Sequence, residues 1–319
     1  MWTLNIALIS FFLTVTNPQF PSDNARRKLV SLIAEVRQAD GRRYASRDHL
    51  GNPMNCIKII KRTGSDDFIG VYHTYVNNVP RVHLAVSNDL LQWTWLQELA
   101  VHASQPTIAA SSDHPEGYIL VWEETPSSHL KFAFYMTWDD LKVGTAQQTH
   151  ETTRTLSHCA EGTPNIYGEP TLASIDVGFH FSDDCTLDRQ ARASLTNFSL
   201  WTQIRKQPNV DNALLHYGVR GNIRDRDALS NFDGYAFTII EGQYQPKNIG
   251  TWRIFVFDSQ TENADQVPIV TNGRSQAFTN PTMTITTING QRILLVTLFI
   301  VNEKSAPREA GQLIYYRKF

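Results

Sequence analysis

Several classes of protein are excluded by what this 319-residue chain has little of. Its three cysteines, Cys56, Cys159 and Cys185, are too few for a disulfide scaffold, and no Cys-x-x-Cys or His-x-x-x-His spacing offers a zinc site. Positive charge is not in surplus: 29 Lys and Arg against 31 Asp and Glu leave a net charge of −2 and a pI near 6.5. No basic run is interleaved with aromatics either, so nucleic acid is not an expected partner. Long apolar runs are also missing. The best candidate, residues 6–15, has the length of a signal peptide and is too short to span a bilayer. It reads as a secretory leader over residues 1–20, giving a secreted or periplasmic protein with no membrane partner beyond that leader. No Lys or Arg precedes the run, and a buried N-terminal element of the fold is the other reading. With 17 glycines and 14 prolines the chain is not of low complexity.

What is present is enough apolar residue for a large core, 41% of the chain, in short β-prone runs separated by turn residues. One amphipathic helix is expected near the start, over residues 22–39, with Leu29, Leu32, Ile33 and Val36 on one face. Cys159 and Cys185 could form a bridge that leaves Cys56 buried on a strand; three free thiols is the alternative. Asn197-Phe198-Ser199 has the form of a glycosylation sequon.

A polar residue followed by proline and a β-prone run recurs along the sequence. The copies are Asn52-Pro53, Gln105-Pro106, Glu169-Pro170 and Asn280-Pro281, with Asn222 holding a fourth-repeat place without proline. Each copy is followed by a turn and a very apolar run, such as Tyr118-Ile119-Leu120-Val121-Trp122, and then by a third run. The spacings of 53, 64, 53 and 58 residues between positions 52, 105, 169, 222 and 280 signal a repeat architecture. Five repeats of about four strands predict an all-β protein, a five-bladed β-propeller over residues 46–319, with a helical segment over residues 21–45 before it. The segments Ser87-Asn88-Asp89-Leu90-Leu91-Gln92-Trp93 and Thr137-Trp138-Asp139-Asp140-Leu141 read as turns. Their aspartates should bond backbone amides while Leu and Trp pack between blades.

In a propeller, the start of each innermost strand and the end of the antiparallel second strand share one mouth of the central channel. This predicts a polar ring of Asn52, Gln105, Glu169, Asn222 and Asn280, joined by His73, Glu123, Glu124, His180 and Glu241. The charged stretch that includes Arg224 and Asp225 reads as a substrate clamp or as an internal salt-bridge network.

This layout resembles the five-bladed propeller glycoside hydrolases, the invertase, fructosidase, arabinanase and β-xylosidase group. The resemblance implies a carboxylate near the start of the innermost strand in each of the first three blades. Asn52 and Gln105 stand where that group has its first- and second-blade aspartates, and only Glu169 keeps an acid. Glu161-Gly162-Thr163-Pro164 is the rival alignment. The resemblance therefore implies a carbohydrate-active protein acting on an oligosaccharide or polysaccharide, with Glu169 as general acid. A second carboxylate must come from elsewhere on the mouth, Glu241 before Glu123, Glu124, Asp48 or Asp225, because hydrolysis needs two. Substrate would be held by Asn52, His73, Gln105, Glu124, His180, Asn222, Arg224, Asp225 and Asn280. The alternative is a carbohydrate-binding propeller that has lost its catalytic aspartates. No cofactor is implied, and a structural calcium ion has no signature in the sequence.

Overall fold

The computed structural model describes residues 20–319. The expected leader, but for Phe20, lies outside them. Helix α1 (Ser22–Ala34) is shorter than its periodic pattern, because the chain turns at Glu35 into a short 3-10 turn over Val36–Gln38. Ala25, Leu29, Ile33 and Val36 are buried against Phe232, Phe237, Ile254 and Leu298. Arg26 fixes the helix by ion pairs to Asp258 and Asp265 (3.5 and 2.7 Å).

Among the described residues, twenty strands make five four-stranded antiparallel sheets. After β1 (Gly41–Arg43), blade one is β2 (Asn55–Lys61), β3 (Phe68–Val76), β4 (Val79–Ser87) and β5 (Thr94–Val101). Blade two is β6 (Ala103–Ala110), β7 (Tyr118–Glu124), β8 (His129–Tyr135) and β9 (Gln148–Glu151). Blade three is β10 (Glu161–Tyr167), β11 (Ser174–Asp183), β12 (Leu187–Thr196) and β13 (Leu200–Lys206). Blade four is β14 (Ile223–Phe232), β15 (Tyr235–Gln243), β16 (Trp252–Asp258) and β17 (Asn263–Gln266). Blade five takes β18 (Phe278–Ile288), β19 (Gln291–Ile300) and β20 (Gly311–Lys318), and β1 supplies its outermost strand. The ring is thus closed by pairing both ends of the propeller in one sheet, with Arg42 opposite Tyr315. The final run is the third strand of blade five.

Two further helices were not expected. Thr137-Trp138-Asp139-Asp140-Leu141 winds into α2 (Trp138–Val143) because Thr137 and Asp140 form a reciprocal capping box, and Gly144 ends it in the left-handed conformation. Helix α3 (Pro208–Leu215) starts on a proline at its first position. Asp89 plays the expected turn role, accepting from the backbone amides of Leu91 and Gln92 (2.9 and 2.7 Å). Leu90 and Trp93 pack with Ile293, Leu295 and Ile314 between blades one and five.

Apolar clusters fill the seams between blades one and two, two and three, four and five, and five and one. The seam between blades three and four is different. There Asp225 accepts from the Tyr167 hydroxyl and from Asn165 Nδ2, and a cavity of about 310 Å³ remains beside Arg192, Phe237 and Phe257.

Candidate functional site

Each innermost strand carries a β-bulge close to its start. The register shifts between Asn55 and Lys58, Ser104 and Thr107, Gly162 and Asn165, Asp225 and Asp227, and Thr279 and Thr282. In four blades a bulge residue is left-handed: Cys56 (φ 55°), Gln105 (53°), Thr163 (46°) and Asn280 (48°). Arg226 is the extra residue in blade four. Such a conformation is strained for any of these side chains, most of all for β-branched Thr163, and bulges of this kind re-aim side chains beside sites. Five bulges at one end of the channel, four of them strained in this way, identify the mouth.

This sharpens the repeat and corrects part of it. Gln105-Pro106 and Asn280-Pro281 are true copies, and Thr163-Pro164 is the third-blade copy. Blade one uses Cys56-Ile57 and blade four Arg226-Asp227. Asn52 lies before β2 in a loop, where its side-chain amide donates to Asp48 Oδ2 (2.9 Å). Burial works against ionisation of Asp48, yet hydrogen bonds from the Tyr72 hydroxyl, Asn52 and Leu50 outweigh it and lower its pKa. Asp48 is thereby a loop clasp.

Glu169 follows the far end of β10, in an exposed turn where Ser112 donates to the Pro170 carbonyl (2.9 Å). The seven-residue β10 separates it from the mouth by about 20 Å. It shares a cavity of about 420 Å³ at the lower end of the channel with Lys58, Asp227 and Thr284. Glu169 and Glu241 are therefore not brought together. Glu161, which does start β10, is buried with Oε1 accepting from the amides of Thr155, Leu156 and Ser157 (2.7, 2.5 and 3.1 Å). It organises the loop that carries Cys159, which is bridged to Cys185 in the β11–β12 turn. Cys56 is free and buried.

Around the mouth itself the structure gathers His73, Gln105, Glu123, His180, Arg224, Glu241 and Asn280. To these it adds Cys56 and Asp188, which the sequence pattern did not single out, Thr163 from the rival alignment and Arg226 from the charged stretch. Arg224 is the hub: it grips Asp188 through Nε and Nη2 (2.7 and 2.6 Å), and its Nη1 lies 3.7 Å from Glu241 Oε1. Its guanidinium also sits 5.4 Å from the centre of the Trp252 ring. Glu241 is fully buried and accepts from the Asn280 amide across the seam between blades four and five. Asn222 holds Asp188 from the rim by accepting its amide (3.0 Å). Glu124 turns back to accept from Trp122 Nε1 (2.7 Å). Asp225 faces the polar seam, where burial pushes its pKa up to about 7 against the hydrogen bonds of Tyr167 and Asn165.

The electrostatics divide these groups. Burial, with Arg226 nearby, pushes the His73 pKa down to about 3, and its Nδ1 accepts from the Gln105 amide (3.3 Å). Burial does the same to His180, which bonds Thr163 Oγ1 and has its Nε2 3.8 Å from Asp188. Both imidazoles are held neutral. Asp188 is kept ionised: burial opposes this, but the charge and paired hydrogen bonds of the Arg224 guanidinium outweigh it and lower its pKa. Glu123 moves the other way. Burial raises its pKa although Arg224 and the Thr163 amide (3.2 Å) oppose the rise. The Glu123 carboxylate occupies the space that a Cβ at Gly162 would take, so a side chain there would displace it. Burial pushes the Cys56 thiol up to about 12, with Arg226, Glu241, Arg224 and Gln105 close enough to act on it.

Several buried polar atoms of the mouth have no hydrogen-bond partner among the described residues. They are Gln105 Oε1, Glu241 Oε1, Asn280 Oδ1, and Nε and Nη1 of Arg226. The mouth thus buries acceptors without donors and a guanidinium without an acceptor.

No protein-family model and no curated protein sequence matches this chain. Solved structures do match. An exo-1,5-α-L-arabinanase from a bovine ruminal metagenomic library superposes with a TM-score of 0.55 at 9% identity, over 86% of this chain and 95% of that one. An endo-1,4-β-xylanase from Bacteroides thetaiotaomicron gives 0.55 at 11% identity, over 84% and 91%. An exo-β-1,3-galactanase from Clostridium thermocellum gives 0.55 at 12%, over 88% and 63%. The likeness is one of fold. The chain shares the five-bladed propeller of these structures. None of the bulge positions carries a carboxylate: they hold Cys56, Gln105, Thr163, Arg226 and Asn280.

Proposed function

We propose that this protein is a carbohydrate-binding propeller whose ligand seats in the bulge-lined mouth of the channel. The observation that carries the reading is the set of buried acceptors there that receive no hydrogen bond among the described residues, Gln105 Oε1, Glu241 Oε1 and Asn280 Oδ1. An unmet buried polar group costs about 1–3 kcal/mol, which hydroxyl donors of a sugar would recover on binding. Glycosidase folds among the solved structures support a carbohydrate as the ligand class. The Cys159–Cys185 bridge and the apolar run of residues 6–15 support a secreted or periplasmic location, since disulfides persist in oxidising compartments.

Hydrolysis is the second reading, and it rests on Glu123 and Asp188 rather than on Glu169. Two carboxyls whose pKa values are pushed apart are the usual mark of an acid and its ionised partner. Asp188, however, is engaged by Arg224 through both Nε and Nη2. Isothermal titration of the full chain with an oligosaccharide panel, followed by long incubation and product analysis, separates the readings. Binding that is lost in Gln105→Ala with Asn280→Ala, and no released sugar, is the expected result. Turnover abolished by Glu123→Gln would establish hydrolysis instead.

A further inference from the structure

We infer that the ligand of this mouth carries an anionic group, a carboxylate such as that of a uronic acid residue, and that Arg226 is its binding residue. The inference rests on the mouth being a carbohydrate site, and it fixes the chemical class of that carbohydrate. Arg226 is 4% exposed, and no hydrogen bond or ion pair reaches it among the described residues. Every other charged side chain that the mouth buries has a partner: Arg224 and Asp188 hold each other, Glu241 accepts from Asn280, and Glu123 accepts from Thr163. A guanidinium removed from water without a counter-charge is strongly unfavourable, because the interior does not replace its hydration. The neighbours do not supply that charge. His73 and His180 are neutral donors and acceptors, Gln105 is an amide, and Cys56 is a buried thiol.

The geometry also states what the anion must be attached to. Arg226 occupies the fourth-blade bulge, in the ring that contains Gln105 and Asn280. Their unpartnered oxygens, with Glu241 Oε1, are acceptors and so require donors. A bare inorganic anion satisfies the guanidinium and leaves those three acceptors unmet. A neutral sugar satisfies the acceptors and leaves the guanidinium unmet. A polyol carrying a carboxylate meets both, with the planar fork of Arg226 suited to donating paired hydrogen bonds to a carboxylate.

Matched sugar pairs that differ only in the C6 carboxylate test this: galacturonate against galactose, glucuronate against glucose, and their short oligomers. Titration calorimetry on the full chain should show at least one acidic member binding tenfold or more tighter than its neutral twin. Arg226→Met should abolish that preference, and Arg226→Lys should keep part of it. The unliganded Arg226→Met protein should melt at or above the wild-type temperature, since an unpaired charge has been removed; the acidic sugar should raise the wild-type melting temperature and not that of the variant. Equal affinity within every pair overturns the acidic class and leaves a neutral-sugar site standing. A preference that survives in Arg226→Met places the anion elsewhere and overturns the assignment. A fall of several degrees in the unliganded variant makes Arg226 a structural residue and overturns the assignment as well. If no member of any pair binds, the mouth is not a carbohydrate site and both readings fail.

Discussion

Arg226 and Asp227 are neighbours on β14, and they live in opposite circumstances. Asp227 belongs to the lower channel. Its Oδ2 takes Lys58 Nζ (2.5 Å) and the Met283 amide (2.9 Å), and its Oδ1 takes the Ala228 amide (2.9 Å). Lys58 in turn reaches the Met283 carbonyl and Thr284 Oγ1 (3.4 and 3.3 Å). Here the charges are buried and satisfied, so the lower end works as a strut joining blades one, four and five. Arg226, one residue earlier, faces the mouth with no partner. An apolar propeller core does not need an unmet charge at one end and a saturated pair at the other. The difference separates a region built for stability from one built to be completed by a ligand.

The sharpest way to break that comparison is to unpair the strut. Lys58→Met leaves Asp227 buried without its cation and should cost about 3–5 kcal/mol in denaturant unfolding. Arg226→Met should cost nothing. Equal losses in the two variants would erase the distinction drawn between the ends of the channel.

The bridge between Cys159 and Cys185 spans 26 residues and ties two loops of the mouth together. Replacing both cysteines by serine should lower stability by about 3.5 kcal/mol on the chain-entropy scale. Amide exchange should then quicken around residues 152–160, which Glu161 and the bridge hold, and stay unchanged along β18 and β2 at the lower end. A loss spread evenly over both ends would mean that the bridge staples the whole ring.

A third test uses protons. The pKa of His73 in the folded protein, about 3, lies below the ordinary histidine value, so between these limits the unfolded chain binds more protons than the native one. Stability from this group is therefore complete at neutral pH and declines as pH falls below about 6.5. Asp225 and Asp211, each pushed up to about 7 by burial, act in the opposite sense, losing stability as pH rises toward 7. The net curve hides all three, so the useful measurement is wild type against His73→Gln. Relative to that variant, wild type should lose up to about 1.4 kcal/mol per pH unit between pH 6 and 4. A difference independent of pH would mean that His73 is not held neutral at the mouth.

The fold was legible because repetition is a long-range signal: five apolar second strands, each bounded by turn residues, leave few architectures. The ring closure by β1 was not legible, since three residues, Gly41-Arg42-Arg43, carry no pattern of their own. The mouth was read at Gln105 and Asn280, where proline follows the bulge, and misread where it does not. In blade one Ile57 takes the proline's place and in blade four Asp227, so Cys56 gave no signal and Arg226 only that of the charged stretch over residues 220–227. Asn52-Pro53 and Glu169-Pro170 carried the right pair of residues for another reason: proline with a polar neighbour also favours turns. Asp188 begins a third strand, a position the two-strand picture of the mouth did not consider. Its clue was sequence order, since it follows His180 across a single tight turn.

Glu169 gives the smallest expected effect and separates a motif from its position. Its side chain is exposed in the turn after β10, where among the described residues the bonds from Ser112 to this residue and the next engage backbone carbonyls. Glu169→Gln should therefore change stability by no more than about 0.5 kcal/mol, as exposed substitutions away from packed features do. Sugar binding at the mouth should be unchanged, because about 20 Å of strand intervenes. If the substitution instead weakened binding, the ligand would have to reach the lower channel, where Glu169 shares a cavity of about 420 Å³ with Lys58 and Thr284. The saturated end would then be the one that matters, and the reading of Arg226 would have to be given up.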